Sequence, residues 1–328
     1  MFHHLPKIEL HLHLDCSLSY EVVHMLDPNI SREEYENEFK APFNCNSLVE
    51  YIKRAGRAID LMQTREQLRL VTLDLFKQLK TDNVIYAEIR FAPLQHLKKG
   101  LSPAEVVKAV DDAVEEGMNT FGIDVGIILC TLRHFSEDQS LQTVQLANLF
   151  KHNHVVGYDI AADESLPIEQ HIASFQFAHQ NNIPCTAHAG EARGAESVWE
   201  TLRLLQPLRI GHGVRSNEDA TLLQHLIDND IHLEVCPTSN IKTAVYNNIA
   251  NHVAPELYQS GVSISINTDG RTISNVHLTQ EYELMNRTFG WKENELLQCN
   301  LEAIKHAFAS HETKERITKQ LIDAYPTK

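Results

Sequence analysis

The sequence is poor in basic residues and has no long hydrophobic run. It contains 29 Lys and Arg against 44 Asp and Glu, which gives a formal net charge of -15. Proteins that bind nucleic acids usually carry a basic stripe, so this charge disfavours nucleic-acid partners and favours a small, nearly neutral substrate. Since no stretch reaches the roughly 18 apolar residues of a membrane span, and residues 1–7 lack a secretory pattern, we expect no membrane partner and a cytoplasmic location.

Signals for disulfides and for linkers between domains are also missing. The 6 cysteines are scattered along the chain without a C-x-x-C pair, so we expect reduced thiols. No Gly/Ser-rich or Pro-rich stretch divides the chain, and no short repeat occurs. The composition of 43% hydrophobic and 22% charged residues is sufficient for a sizeable core. We therefore predict one domain over residues 1–328.

Short apolar runs alternate with longer segments of helical spacing. Several runs are nearly continuous hydrophobic stretches, which is typical of parallel strands covered on both faces. Eight strands alternating with helices fit a closed (β/α)8 TIM barrel better than a doubly wound open sheet. The predicted strands cover residues 8–14, 84–91, 125–132, 155–161, 183–189, 208–213, 231–236 and 262–267.

Helix starts can be recognised between these runs. Ser102, followed by Pro103 and Glu105, is typical of a helix start with proline in the first turn. The segment from about 28 to 79 is too long for a single barrel helix, so we interpret it as a helical lid inserted after strand one, near the mouth of the barrel. Three further pairs are spaced as capping boxes: Ser47 with Glu50, Thr64 with Gln67, and Ser136 with Gln139.

Polar residues with metal-ligand chemistry fall at the ends of the predicted strands. His11 and His13 alternate with leucines, and the two-residue period of a strand puts both imidazoles on one side. This pair alone is also compatible with two buried histidines bonded to carbonyls. His188 and His212 close the fifth and sixth runs, and Asp269 follows the eighth. Carboxyl ends of barrel strands form one face, and a set of three imidazoles and one carboxylate suits Zn²⁺ with an open position for water.

Glu191 follows His188 by three residues and leaves the strand over the barrel mouth. A carboxylate at this place can approach the ion without binding it. Partial desolvation would raise its pKa, so that it could donate a proton near neutral pH. The alternative is an ordinary surface carboxylate on a loop.

Eight segments of the sequence resemble the signatures of the adenosine deaminase family, which belongs to the amidohydrolase barrels. The resemblance extends from Lys7 to at least Glu281. The matching segments are ELHLHLD at 9–15, EIRFAP at 88–93, ILCTLRH at 128–134, DIAADE at 159–164, HAGE at 188–191, RIGHG at 209–213, EVCPTSN at 234–240 and NTD at 267–269.

The resemblance implies a zinc-dependent enzyme that deaminates adenosine and 2′-deoxyadenosine hydrolytically to inosine and 2′-deoxyinosine, releasing ammonia, with one Zn²⁺ per chain. It makes Glu191 the proton donor to purine N1. It makes His212 the residue that orients the attacking water and assists its deprotonation. The ligands of the family fall on the set already reached from spacing: His11, His13, His188 and Asp269.

Substrate-binding residues follow from the same resemblance. Asp15 occupies the position that binds the 5′-hydroxyl of the nucleoside. Leu48, Tyr51 and Ile52 fall where a lid helix covers the base, although apolar residues at this spacing are as readily explained as ordinary core. We also assign Ala162 to this group, because it stands where the family has a glycine whose backbone N–H approaches purine N3.

Three positions depart from the family pattern. Gly270, which we also assign to the substrate-binding residues, stands where the family has a second aspartate that contacts purine N7. Losing such a bond costs about 1.5–3 kcal/mol unless another group replaces it. Ala162 permits the contact to N3 if its φ is negative. Cys16 replaces the glycine that follows Asp15. These departures leave open another 6-aminopurine as substrate, such as a modified adenosine or adenine itself.

Other interpretations remain at this point. Charged residues at strand ends often brace ligands, and this is the role expected for Glu88, Arg90, Arg133 and His134. Strand four contains no lysine that could bridge two metals, and the chain lacks the P-C-x-x-C motif of other zinc base deaminases. The alternatives to deamination are metal-assisted hydrolysis of an amide or ester, and a binding protein without catalytic activity.

Overall fold

Eight parallel strands form two hydrogen-bonded sheets in the computed structural model, which describes residues 2–42, 45 and 47–325. The strand order is β1-β2-β3-β4 in one sheet and β5-β6-β7-β8 in the other. The strands are β1 Lys7–His13, β2 Val84–Phe91, β3 Asp124–Leu132, β4 Val155–Ala161, β5 Thr186–Ala189, β6 Arg209–His212, β7 His232–Val235 and β8 Ile264–Ile266.

Backbone hydrogen bonds at two seams close the sheets into one barrel. At the seam of β1 and β8, the His13 N–H donates to the Asp269 carbonyl over 2.8 Å, and the Asp269 N–H donates to the His11 carbonyl over 3.0 Å. At the seam of β4 and β5, the Tyr158 N–H donates to the Pro184 carbonyl over 3.0 Å. The predicted (β/α)8 barrel is confirmed, and all eight carboxyl ends lie at one face.

Each predicted apolar run coincides with one strand, but the last four strands are shorter than predicted. β5 has 4 residues, from Thr186 to Ala189, where the prediction began at Ile183. Ile183 and Cys185 are buried, yet Cys185 makes only an isolated bridge to Tyr158. Burial of apolar side chains therefore extends beyond the hydrogen-bonded ladder, and hydrophobicity alone overestimates strand length.

Sixteen α-helices surround the barrel in the described residues. Those that precede β3 are α1 Tyr20–Leu26, α2 Arg32–Glu38, α3 Leu48–Ile52, α4 Ala55–Asp60, α5 Arg65–Thr81 and α6 Pro103–Phe121. The others are α7 Glu137–Phe150, α8 Ile172–Gln180, α9 Ala195–Leu204, α10 Ala220–Asp228, α11 Pro237–Lys242, α12 Ala254–Gln259, α13 Arg271–Ser274, α14 Leu278–Phe289, α15 Glu293–His306 and α16 His311–Ala324.

The helix starts agree with the predicted caps, with one difference. Ser102 and Ser136 each form a full capping box, with Glu105 and Gln139 respectively. Thr64 accepts from the N–H of Gln67 as expected. The Gln67 side chain, however, accepts from the backbone N–H of Gln63 over 3.0 Å instead of returning to Thr64.

The helices between β1 and β2 differ in what they pack against. Helix α5 packs against α6 and β2, and its Leu68, Val71 and Leu75 belong to the main core. The predicted lid boundary near residue 79 is therefore too far along the chain, because α5 is the first helix of the barrel itself. Residues 43, 44 and 46 of the predicted lid lie outside the described residues.

One large apolar cluster extends from Phe2 to Tyr325 and lies between the strands and the surrounding helices. A smaller cluster joins α3 and α4 to Ile273 and Cys16 above the barrel. A single main core of this extent is what the expected single domain needs. Among the described residues, no helix combines the length and the apolar character that crossing a bilayer requires.

Candidate metal centre and substrate pocket

The four predicted ligands meet at the carboxyl ends of β1, β5 and β8. The Nε2 atoms of His13 and His188 are 3.2 Å apart. Asp269 Oδ1 lies 3.6 Å from His11 Nε2 and 3.4 Å from His13 Nε2. Ligand atoms of His11, His13 and His188 all lie within 4.8 Å of one another. Residues that are far apart in sequence thus present four donor atoms to one small volume.

Two buried carboxylates fix the orientation of two of these imidazoles. Glu234 Oε2 lies 2.8 Å from His11 Nδ1, and Asp159 Oδ1 lies 3.2 Å from His188 Nδ1. A carboxylate accepts the Nδ1 proton, so each neutral ring keeps its lone pair on Nε2. Both Nε2 atoms are therefore left available for a cation.

Arginines hold these carboxylates in turn. Arg90 donates to Asp159 Oδ2 over 2.9 Å and to Glu234 Oε2 over 2.8 Å. Arg209 lies 2.8 Å from Glu234 and donates to Glu88 over 2.5 Å. All of these side chains have an exposure of 0%, so charge balance inside the barrel depends on the complete set. Arg90 has the bracing position expected for it, while Glu88 acts one step further away through Arg209.

Arg133 and His134 separate in the structure. Arg133 is buried and donates to the carbonyl oxygen of His188 over 2.9 Å, so it supports the backbone of a predicted ligand. His134 instead lines the cavity. The bracing role expected for this pair therefore fits Arg133 and not His134, because the two consecutive side chains point to different sides of the backbone.

Asp269 is held through its second oxygen. Ser239 Oγ donates to Asp269 Oδ2 over 2.6 Å, and the Tyr51 hydroxyl lies 3.4 Å from the same oxygen. Oδ1 is left facing His11 and His13. One carboxylate oxygen of Asp269 thus accepts hydrogen bonds within the protein, and the other is available to a cation.

Glu191 lies on a loop that a second glutamate organises. The Glu164 carboxylate accepts the backbone N–H groups of Gly190, Glu191, Ala192 and Arg193, over 2.5 to 3.0 Å. A carboxylate that satisfies four consecutive amides removes the freedom of the loop that follows β5. Glu164 therefore fixes the backbone position from which the Glu191 side chain projects.

The Glu191 carboxyl group itself is almost completely enclosed. Its exposure is 5%, and burial, reinforced by the charges of Asp269 and Glu164, raises its pKa well above the usual range. Thr243 Oγ1 donates to Oε1 over 2.9 Å, and Oε2 lies 3.6 Å from His212 Nε2. A carboxyl group with a raised pKa keeps its proton to higher pH than an exposed one and can serve as a proton donor.

Three residues at the strand ends have left-handed backbone conformations. The φ values are +61° for His212, +64° for Asp269 and +79° for Ala162. Such conformations are uncommon for residues other than glycine and occur preferentially at functional sites. For Ala162, the negative φ required by the sequence-based expectation is not found. Ala162 adopts the backbone conformation that glycine would favour, at a modest steric cost.

A cavity of about 250 Å³ opens above the four predicted ligands. Its wall contains Glu191 and His212 as well as most of the predicted substrate-binding residues. Those residues are Asp15, Leu48, Tyr51, Ile52 and Ala162. Asp15 is only 6% exposed, and burial raises its pKa to about 6. The structure thus brings these five side chains together with the predicted ligands.

Gly270 is the predicted substrate-binding residue that does not line the cavity. A Cβ atom at this position would lie 2.7 Å from the Cβ of Cys16 and 3.3 Å from the Tyr51 hydroxyl. Cys16 therefore fills the space that a side chain at residue 270 would need. The two departures from the family pattern, a cysteine at 16 and a glycine at 270, compensate each other sterically.

A larger cavity of about 500 Å³ lies elsewhere on the protein, between α10, α12 and α15. Asp230, Glu302 and His306 come close together there. Lys305 Nζ already donates to Asp230 Oδ1 over 2.7 Å, so the local negative charge is compensated. We place the functional site in the smaller cavity, where the predicted ligands converge.

Several residues that fix the positions of the site residues were not predicted from the sequence: Asp159, Glu164, Glu234, Ser239 and Asn240. A signal for two of them was present. Asp159 and Glu234 each interrupt an apolar strand run, and a carboxylate inside a buried strand must be paired. The side chains of Ser239 and Asn240 gave no comparable signal, because their roles depend on the path of α11.

Comparisons with known proteins agree with this geometry. A family model described as adenosine deaminase matches residues 6–324. The adenosine deaminase of Clostridium acetobutylicum is 38% identical, with 97% of each chain covered. The adenosine deaminase of Enterococcus faecalis is 33% identical, and the match covers 98% of this chain and 97% of that protein.

Solved structures share the same barrel. An Arabidopsis N6-mAMP deaminase matches with a TM-score of 0.87 and 25% identity over 98% of this chain and 99% of that protein. An adenine deaminase from Arthrobacter aurescens matches with a TM-score of 0.90 and 24% identity, over 97% of this chain and 98% of that protein. This second likeness concerns the fold. The family match and the relatives above 30% identity establish that the chain belongs to the adenosine deaminase family.

Proposed function

We propose that this protein deaminates adenosine and 2′-deoxyadenosine hydrolytically, yielding inosine or 2′-deoxyinosine and ammonia. The observation that carries the proposal is the position of Glu191, a buried carboxyl group with a raised pKa beside His212 and in the wall of the cavity above the ligand set. A purine ring requires a proton donor when water adds to its amino-bearing carbon. A hydrolase for amides or esters would have no need of a ring-directed acid at this place.

The proposed ligand set fits a zinc ion. Within the described residues, His11 Nε2 is buried and has no hydrogen-bond partner, an arrangement that costs free energy unless a cation takes the lone pair. Three imidazole nitrogens and one carboxylate oxygen are the donors that zinc prefers. We assign one zinc per chain to His11, His13, His188 and Asp269. When bound, zinc supplies a nucleophile near neutral pH by lowering the pKa of water towards about 7.

The residues of the chain handle protons and orientation. Glu191 donates a proton to purine N1, and Thr243 keeps its carboxyl group aligned. His212 lies between Glu191 and the ligand set, where it orients the attacking water. Asp15, which also lines the cavity, receives the 5′-hydroxyl. Its raised pKa means that it can accept or donate a hydrogen bond near pH 6.

We further propose that residues 1–328 act as one catalytic domain in which α3 and α4 form the lid. Leu48, Tyr51 and Ile52 of α3 line the cavity and pack with Ile273 in the smaller apolar cluster. An apolar cover suits the face of a purine, and it keeps bulk water away from Glu191.

A nucleoside suits the cavity better than a nucleotide. Among the described residues that line it, Lys53 is the one lysine or arginine, and its side chain is exposed to solvent. The carboxylates of Asp15 and Asp269 line the same space, together with the Glu191 carboxyl group. A phosphate group would meet negative charge without a buried cation to balance it.

Absorbance can test the proposal directly. The purified, zinc-loaded protein should convert adenosine to inosine with the accompanying ultraviolet change and should release one ammonia per turnover. Treatment with a chelator should abolish the change, and added zinc should restore it. A panel of 6-aminopurines would identify a different preferred substrate: adenine, adenosine 5′-phosphate, and N6-methyladenosine with its 5′-phosphate, the last two of which release methylamine instead of ammonia. If neither adenosine nor 2′-deoxyadenosine releases ammonia, the proposed function is wrong.

A further inference from the structure

The short helix α11 and its C-cap residue Thr243 support the site through three side chains. Ser239 contacts Asp269, Thr243 contacts Glu191, and Asn240 contacts His212. The contact of Asn240 differs from the other two because it continues to a further titratable residue, His252. Asn240 and His252 are buried, with exposures of 0% and 1%, and neither belongs to the predicted site.

Three hydrogen bonds form a continuous chain that ends at His212. The backbone N–H of Ala254 donates to His252 Nδ1 over 3.1 Å. His252 Nε2 lies 3.2 Å from Asn240 Oδ1, and Asn240 Nδ2 lies 3.1 Å from His212 Nδ1. Beyond the last hydrogen bond, His212 Nε2 lies 3.6 Å from Glu191 Oε2. One backbone amide is thus connected to the wall of the cavity.

The backbone N–H of Ala254 determines which atom donates and which accepts in each of these hydrogen bonds. A backbone N–H can only donate, so His252 Nδ1 must accept, and the neutral ring then carries its proton on Nε2. That proton is donated to Asn240, which must present its carbonyl oxygen to His252 and its amide group to His212. Burial lowers the pKa of His252 to about 3, so the ring is neutral at physiological pH. His212 Nδ1 is left with the role of acceptor.

Packing keeps the two rings in place. The Tyr246 ring lies 5.0 Å from the His252 ring at an angle of 60°, which opposes a ring flip. His212 has a φ of +61°, so its side chain leaves the end of β6 in a direction that an ordinary strand residue would not have. Neither ring is free to exchange its two nitrogens without moving its neighbours.

We propose that His252 and Asn240 are positioning residues that hold His212 as the tautomer with its proton on Nε2. His212 then presents a hydrogen-bond donor, and not a lone pair, to the reacting atoms beside Glu191. This differs from the expectation that His212 accepts a proton from the attacking water, since the nitrogen facing the cavity already carries one. The inference goes beyond the proposed deamination and rests on it only for the kinetic measurement.

Replacing Asn240 with Asp should reverse the direction of the hydrogen bond between residue 240 and His212. A carboxylate accepts on both oxygens, so His212 must then donate from Nδ1 and lose its proton from Nε2. Imidazole nitrogen NMR on the zinc-loaded, ¹⁵N-histidine-labelled protein should show the Nε2–H tautomer of His212 in the wild type and an Nδ1–H ring in Asn240→Asp. We expect kcat to fall about 10²- to 10⁴-fold, as for other histidines held in the wrong tautomer, with KM changed only a few-fold and zinc content unchanged.

Two substitutions at His252 test the same idea without adding a charge. His252→Gln retains an acceptor for Ala254 and a donor for Asn240, so it should keep both the tautomer and most of kcat. His252→Leu removes both groups, so it should lose the tautomer and lower kcat at least about 10-fold. His232, which is buried and bonded to Ser263 and Ser265, provides the matched control. His232→Leu should lose stability while the folded fraction keeps its kcat.

The outcomes separate the possibilities. The proposal is overturned if wild-type His212 carries its proton on Nδ1, or if folded Asn240→Asp or His252→Leu keeps the wild-type tautomer and kcat. If Asn240→Asp does not fold, the comparison of His252→Gln with His252→Leu decides. If the wild type deaminates no purine, the NMR measurement still reports on the tautomer, so failure of the proposed function is distinguished from failure of this inference.

Discussion

The two walls of the cavity are stabilised in different ways. The metal side, which consists of His11, His13, His188 and Asp269, is backed by buried ion pairs that include Arg90. The base side, which consists of α3, α4 and Cys16, is a small apolar cluster. Directional bonds fix atoms to within tenths of an ångström, whereas apolar contacts fix volume and tolerate change. We therefore expect substitutions on the metal side to affect the reaction itself, and substitutions on the base side to affect substrate choice.

The largest effect should come from removing a proposed ligand. His11→Ala deletes an imidazole nitrogen and removes one of the partners of Glu234, so zinc should be lost and deamination should fall by about 10⁴-fold or more. Metal content per chain and the rate of inosine formation are the measurements. His232→Ala, a buried histidine outside the site, is the control. A His11→Ala protein that retains a full equivalent of zinc would contradict the assignment.

Glu191→Gln should have the next largest effect. The amide has the same shape but cannot donate the proton to purine N1, so the rate should fall by about 10²- to 10⁴-fold. Zinc content should stay at the wild-type level because Glu191 is not a proposed ligand. The variant thus separates metal binding from proton transfer. Unchanged turnover would exclude the role of Glu191 as acid.

Glu234→Gln should produce an intermediate effect. The substitution weakens the bond to His11 Nδ1 and the balance of charge around Arg90 and Arg209, and we expect a loss of about 10- to 100-fold in zinc affinity or activity. Competition with a fluorescent chelator measures the affinity.

Glu281→Gln is the matched control for this substitution. Glu281 is buried outside the ligand set, and burial raises its pKa to about 8, so its replacement changes little charge at pH 7. Equal losses in the Glu234 and Glu281 variants would show that Glu234 has no specific role.

The same difference between the two sides explains how much the sequence could predict. The barrel and the proposed ligands followed from strand spacing, because the period of a strand and the common face of the carboxyl ends leave few arrangements. Asp159 and Glu234 were within the reach of this reasoning, since each is a charge inside an apolar strand. Asn240 and His252 were not, because their contacts depend on loops whose paths no local pattern determines.

On the base side, the sequence suggested two unrelated departures from the family pattern: the loss of a polar contact at Gly270 and a separate change at Cys16. In the structure, Cys16 Cβ lies 2.7 Å from the position of a Cβ at residue 270, so the two substitutions belong together. Such a pair is separated by most of the chain and meets only through the closure of β1 against β8.

Restoring the family residues tests this exchange on the base side. Gly270→Asp alone should cost about 1–3 kcal/mol of stability through overpacking. The double variant Gly270→Asp with Cys16→Gly should recover most of that loss. Thermal unfolding measures the stability, and KM for adenosine and for N6-methyladenosine measures the effect on recognition. If the double variant is as unstable as the single one, the steric exchange is refuted.

The smallest effect should come from Tyr51→Phe. The hydroxyl interacts with Ser274 over 2.7 Å and lies 3.4 Å from Asp269, so its removal should cost about 0.5–1.5 kcal/mol. We expect KM to rise roughly 2- to 10-fold with kcat nearly constant. A drop in kcat comparable to that of Glu191→Gln would place Tyr51 on the metal side.

The proposed chemistry requires one zinc ion between His11, His13, His188 and Asp269. Anomalous diffraction at the zinc edge, on crystals of the zinc-loaded protein, would locate this ion. We expect one strong peak per chain, about 2.0–2.1 Å from the three Nε2 atoms and about 2.0–2.2 Å from Asp269 Oδ1. A peak at any other place, or no peak in a preparation that still deaminates adenosine, would contradict this expectation.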